Sequence, residues 1–162
     1  MLESMRNARS LPELEKLVPG LLEIVREAVL MLRSGKANPA ELVIRRNISK
    51  EAGEYLNNSI SAVISRMLES AGIHVAAGET VHFIIIDQSG KRNPEKAKPV
   101  GLYSLDDGYD SMKYTELVLK AAETLLLPFG YDFKTLGRMF QPNRRRRKRK
   151  IEVQYVLFQE AV

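Results

Sequence analysis

The chain has 162 residues and 18.3 kDa, with 44% hydrophobic and 28% charged residues. These are the proportions of one ordinary globular domain or two very small ones, not of a disordered chain. It contains no cysteine, which excludes disulfides, thiolate metal sites and a cysteine nucleophile and makes a reducing cytoplasm the expected setting. No apolar run approaches the roughly 20 residues that span a bilayer, so no membrane association is expected. Met1-Leu2-Glu3-Ser4-Met5-Arg6 lacks a basic start followed by an apolar stretch, so no export signal is expected either. The net charge of +5 is unevenly spread. The run Arg144-Arg145-Arg146-Arg147-Lys148-Arg149-Lys150 supplies seven positive charges; set aside from the 25 Lys and Arg, it leaves 18 against 20 Asp and Glu. The body is therefore slightly acidic, and the run is a polyanion contact by type.

In chain order, Ser10 and Glu13 form a capping-box pattern that opens a helix. Leu14, Leu17, Val18, Leu21, Val25, Ala28, Val29 and Leu32 follow it at helical spacing. Pro19-Gly20 is expected to kink or divide this stretch, and Gly35 with Pro39 to end it. Glu41 to Ile48 is β-branched enough to be a strand, followed by a polar loop or short turn from Ser49 to Tyr55. Ser59 is a good N-cap for a helix whose apolar stripe is Ile60, Val63, Ile64, Met67, Leu68 and Ala71, closed by Gly72. Gly78 turns the chain into a buried strand, Thr80 to Asp87, and an exposed loop follows at Gln88 to Pro94. A loop after Pro99 leads to a helix from Ser111 to Leu127, with Tyr114, Leu117, Val118, Ala121 and Leu125 inward. Pro128 stops it, and Asp132 can cap a short last helix. The pattern is α+β, mostly helical with a few short strands, with a body over residues 1–140 and a basic C-terminal tail over 141–162.

A search for chemistry yields no complete active site. There is no glycine-rich phosphate loop, no G-x-S-x-G and no H-E-x-x-H. Asp106, Asp107 and Asp110 form the tightest acidic group. Carboxylates so close can hold Mg²⁺, yet beside Gly108 and ahead of a helix they read first as turn and cap residues. His74 and His82 lie across the Gly78 turn without a third ligand and read as surface histidines.

The order of these pieces resembles the thumb domain of B-family DNA polymerases, above all the archaeal replicative enzymes. The resemblance is carried by Glu41-Leu42-Val43-Ile44-Arg45-Arg46-Asn47-Ile48-Ser49-Lys50 with Tyr55 and the helix ending at Gly72. It continues through Gly72-Ile73, Gly78, Val81 and Phe83-Ile84-Ile85, then Tyr109-Asp110, Tyr114 and Pro128-Phe129-Gly130-Tyr131. It is collinear from about Leu21 to Phe140. There are departures: the His that relatives carry early in the thumb helix falls at Ser61, and the Pro before the turn glycine is Ala77. The Gln and Pro of the late helix are absent from Leu117 to Glu123.

The resemblance implies a non-catalytic part that wraps the primer–template duplex by its phosphate backbone during DNA replication. The chain lacks the Asp-Thr-Asp palm motif and the Lys-x-Tyr motif, so no cofactor is expected on it. Mg²⁺ and nucleotidyl transfer are expected on a separate polypeptide carrying palm, fingers and exonuclease. The expected DNA-facing residues are Arg45, Arg46, Lys50, Tyr55, Asn57, Asn58 and Ser59, with Lys91 and Arg92 in the loop and the tail residues Arg144, Arg145, Arg146, Arg147, Lys148, Arg149 and Lys150. For Tyr55, core packing with a surface hydroxyl stands beside DNA contact. Gln154, Leu157 and Phe158 make a compressed version of the sliding-clamp peptide that archaeal relatives carry. The alternative is a stand-alone nucleic-acid-binding protein acting through its Arg/Lys-rich tail.

Overall fold

The computed structural model describes residues 11–87 and 95–140. Lys91, Arg92, the Arg144–Lys150 run, the clamp-like residues Gln154, Leu157 and Phe158, and the Ser10 cap lie outside them. Among the described residues, four α-helices and three strands carry the fold: α1 (Leu11–Arg33), β1 (Ile44–Asn47), α2 (Ile60–Ser70), β2 (Thr80–Ile85), β3 (Ala97–Pro99), α3 (Ser111–Leu126) and α4 (Phe133–Phe140). The strands form one antiparallel sheet in the order β1-β2-β3, giving the mostly helical α+β fold expected.

Two apolar clusters hold these elements. The first joins the sheet to α2 through Phe83, Ile84, Ile85, Ile48, Ile60, Ile64 and Leu68; the second packs α1, α3 and α4 through Leu21, Val25, Val29, Leu119, Leu126 and Leu136. Val118 on α3 borders both. The α1 stripe falls as its spacing predicts, with Val18, Leu21, Val25, Val29 and Leu32 buried.

Four expectations are corrected. Pro19 does not divide α1, which runs unbroken past it. Proline removes one i→i−4 bond, but Glu15, Lys16, Pro19 and Gly20 all lie on the exposed side, where a freed carbonyl is open to solvent rather than buried. The strand expected over Glu41–Ile48 is shorter, because Pro39–Leu42 winds into a 3₁₀ turn capped by Asn38, whose Oδ1 accepts from the Ala40 N–H at 3.1 Å. A third strand, Ala97–Pro99, appears where none was expected; at three residues ending in proline it carries almost no strand signal. On α3 the inward face is displaced by one residue: Thr115, Leu119, Ala122 and Leu126 are buried with Tyr114, whereas Leu117 and Ala121 are exposed. The adjacent apolar runs Leu117-Val118-Leu119 and Leu125-Leu126-Leu127 make the stripe ambiguous until a partner surface selects one phase.

The tyrosines of the late motif are pins. In register, Leu42 would face Ile85 two residues beyond the last β1–β2 pair, Ile44 with Phe83. The Tyr114 hydroxyl occupies that rung instead, accepting from the Ile85 N–H at 2.9 Å and donating to the Leu42 carbonyl at 2.8 Å. The Tyr109 hydroxyl donates to the Leu32 carbonyl at 2.9 Å and accepts from the Ala37 N–H at 3.3 Å. It thereby fastens the end of α1 to the loop that follows. The two rings meet edge to face at 6.1 Å, a favoured aromatic geometry.

Candidate nucleic-acid interface

Strand β1 displays cations on both of its faces. Directly opposed residues in an antiparallel pair share a face. Arg45 therefore stands beside His82, and Asn47 beside Thr80, whose hydroxyl donates to Asn47 Oδ1 at 2.8 Å. Arg46 projects to the other face with Val81 and Phe83, and its guanidinium carbon lies 5.8 Å from the centre of the Phe83 ring. Such a cation–π contact restrains the side chain without neutralising it.

The chain leaves β1 through Ile48, fully buried at 0% exposure and tied to the hairpin on both sides. Its N–H donates to the Glu79 carbonyl at 2.8 Å and its carbonyl accepts from Gly78 at 2.6 Å. Gly78 sits at φ +95°, which glycine adopts without strain. Because Ile48 is anchored, Ser49 and Lys50 emerge at the surface. Neither Arg45 nor Lys50 forms an ion pair among the described residues. A 3₁₀ turn at Ala52–Glu54 folds the Glu54 carboxylate back onto the Glu51 N–H at 3.1 Å.

Tyr55 is partly buried: its ring packs against the first cluster, as the core-packing reading expects, but its hydroxyl is buried with no hydrogen bond rather than at the surface. Its carbonyl accepts from Arg66 Nη2 at 3.0 Å. Asn57 and Asn58 are exposed, and Asn57 Oδ1 accepts from the Ser59 N–H at 3.3 Å. Ser59 caps α2 as predicted, its Oγ accepting from the Ala62 N–H at 3.3 Å. The first-turn N–H groups of a helix have no acceptors within the helix, and no acid stands in the first turn of α2.

Beside that helix start lies a groove of about 570 Å³ whose lining includes Arg46, Asn58, Ser59, Lys96 and Lys113. Three cations from three separate stretches of the chain meet there, and no carboxylate is among the lining residues. Lys96 Nζ donates to the Asn58 carbonyl at 3.2 Å, and Lys113 Nζ to Glu116 at 3.0 Å. Sequence reasoning missed both lysines, because it grouped cations by adjacency along the chain. One signal for Lys113 was legible: a lone lysine in the first turn of a helix opposes the helix dipole.

The acidic group has other duties. Asp107 pairs with Lys98 at 2.5 Å and accepts from the Ser104 N–H at 2.8 Å, and these partners hold its carboxyl below the ordinary range. Asp110 Oδ1 accepts from the Lys113 N–H at 2.9 Å and caps α3. Among the described residues no group of three or more His, Asp or Glu side chains is placed to hold a metal ion.

No known protein-family profile matches the chain. It is 30% identical over 117 residues to a DNA polymerase of Thermococcus hydrothermalis, a match covering 71% of this chain and 7% of that protein. A DNA polymerase of Thermococcus sp. strain 9oN-7 is 28% identical over 112 residues, covering 68% of this chain and 14% of that one. Among solved structures, the family B DNA polymerase of the hyperthermophilic archaeon Pyrobaculum calidifontis superposes with a TM-score of 0.57 at 28% identity, over 74% of this chain and 15% of that chain. The chain thus spans a small fraction of the length of the relatives it matches.

Proposed function

We propose, from the homology of this chain to archaeal family B DNA polymerases over about 70% of its length, that it acts as a thumb. In this role it holds a primer–template duplex by the phosphate backbone and leaves nucleotide joining, with its Mg²⁺ ions, to another polypeptide. The observation that carries the reading is the open segment from Arg45 to Ser59. Arg45, Arg46, Lys50, Asn57 and Asn58 are exposed along it, beside a groove with three cations and no lining carboxylate. Backbone contacts of this kind position a duplex without reading its bases, which suits an enzyme that must copy any sequence. The tail, residues 141–162, adds non-specific attraction through Arg144–Lys150.

Duplex binding by the full chain, followed by fluorescence anisotropy across a salt series, tests this. Arg45→Gln with Lys50→Gln should weaken binding equally on unrelated sequences and lower the slope of log affinity against log salt by about one per contact removed. Deleting Arg144–Lys150 should leave measurable binding. Loss of all binding on that deletion, with no effect of the double substitution, would return the function to the tail and end the thumb reading.

A further inference from the structure

We infer that the groove between β1, β3 and the starts of α2 and α3 is a discrete phosphodiester-binding site, with Lys96 and Lys113 as its contacts alongside Arg46. The inference rests on the duplex-holding role proposed above and assigns it residues that the resemblance did not supply.

Three observations converge on an anion. The lining collects Arg46, Lys96 and Lys113 with no carboxylate among the lining residues, and Glu116 beside it pairs with Lys113 at 3.0 Å. Three cations exceed that single counter-charge, and a bound anion relieves the excess. The cations are also restrained: Arg46 lies over Phe83, and Lys96 is hydrogen-bonded to the Asn58 carbonyl. Restraint lowers the ordering cost of binding. Lys113 stands in the first turn of its own helix, where a cation opposes the dipole, and its ammonium is held there by Glu116 one turn on. Finally, the start of α2 joins the lining through Asn58, Ser59 and Ile60, adding backbone N–H donors and the positive end of a second helix. These donors match the oxygens of a phosphate group. The neutral Asn58 and the aliphatic floor of Ile44 and Ile85 suit the sugar beside it.

Geometry separates this site from the exposed band. Arg45 and Arg46 leave β1 on opposite faces, so the band with Arg45 and the groove with Arg46 are two contact points astride one strand. The groove seats one backbone position, and the band meets the duplex beside it.

The full-length chain with Lys96→Gln and Lys113→Gln, titrated with a labelled duplex between 50 and 200 mM salt, tests the inference. Two lost contacts should reduce the salt slope by about 1.8, so that the variant loses about tenfold less affinity across that range than the parent. Two unrelated duplex sequences should respond alike. The single variant Lys113→Gln guards against a folding defect and should reduce the slope by about 0.9. An unchanged slope in folded variants, with the parent still binding duplex, would overturn the groove and leave the thumb reading intact. A parent chain that binds no duplex would overturn both.

Discussion

Tyr114 shows how one hydroxyl can decide where a sheet stops. It takes the rung between Leu42 and Ile85, so Tyr114→Phe leaves a buried N–H and a buried carbonyl without partners. The expected loss is about 1–3 kcal/mol of unfolding free energy in a urea titration. Burial pushes the Tyr114 phenol up to about 12. The sign follows from linkage: below the roughly pH 10 of an exposed tyrosine, folded and unfolded chains are both protonated and nothing is lost. Between pH 10 and about 12 the unfolded chain ionises first, so stability falls as pH rises. The phenylalanine variant should lack this part of the alkaline decline. Tyr55 gives the contrary lesson. By sequence, core packing and DNA contact both stood open for it; its ring packs against the first cluster, with the hydroxyl buried rather than at the surface.

At the scale of elements, α1 and α3 illustrate two kinds of ambiguity. In α1 the proline signal was read correctly as costly, but the cost is local. Val18 and Leu21 on the buried side hold the helix together around an exposed defect. Pro19→Ala should therefore stabilise the protein by about 1–3 kcal/mol, read as a raised denaturation midpoint with an unchanged slope. A loss of stability would mean that proline sets a bend on which packing depends. In α3 the periodicity was right and the phase was not. A helix with two adjacent apolar rows takes its orientation from what it packs against. The caps were the most legible local features: Ser59, Asp110 and Asp132 each accept an N–H of the helix that follows, Asp132 Oδ1 from Thr135 at 2.8 Å.

For the whole molecule, the two apolar clusters share α3, and Val118 touches both. Damage in one should therefore be felt in the other. Leu126, at 1% exposure, lies in the helical cluster. Leu126→Ala should cost about 2–5 kcal/mol. It should lower the midpoint seen by tyrosine fluorescence as much as that seen by helical circular dichroism. Separate shifts would show that the sheet with α2 folds independently of the α1–α3–α4 bundle. The groove draws its lining from β1, β2, the start of α2, the approach to β3, and α3.

The sequence by itself determined the helices, their caps, the central strand and the collinear pattern shared with archaeal family B polymerases. Each of these depends on residues close together along the chain, where spacing and capping chemistry act directly. It also singled out Arg45, Arg46, Lys50 and the 57–59 turn as expected contacts, through their clustering and the family resemblance. Only tertiary structure decided the three-residue edge strand, the inward face of α3, the burial of the Tyr55 hydroxyl and the meeting of Arg46, Lys96 and Lys113. Those outcomes depend on which surfaces pack together, and electrostatic proximity across 67 residues leaves no periodic trace in a chain.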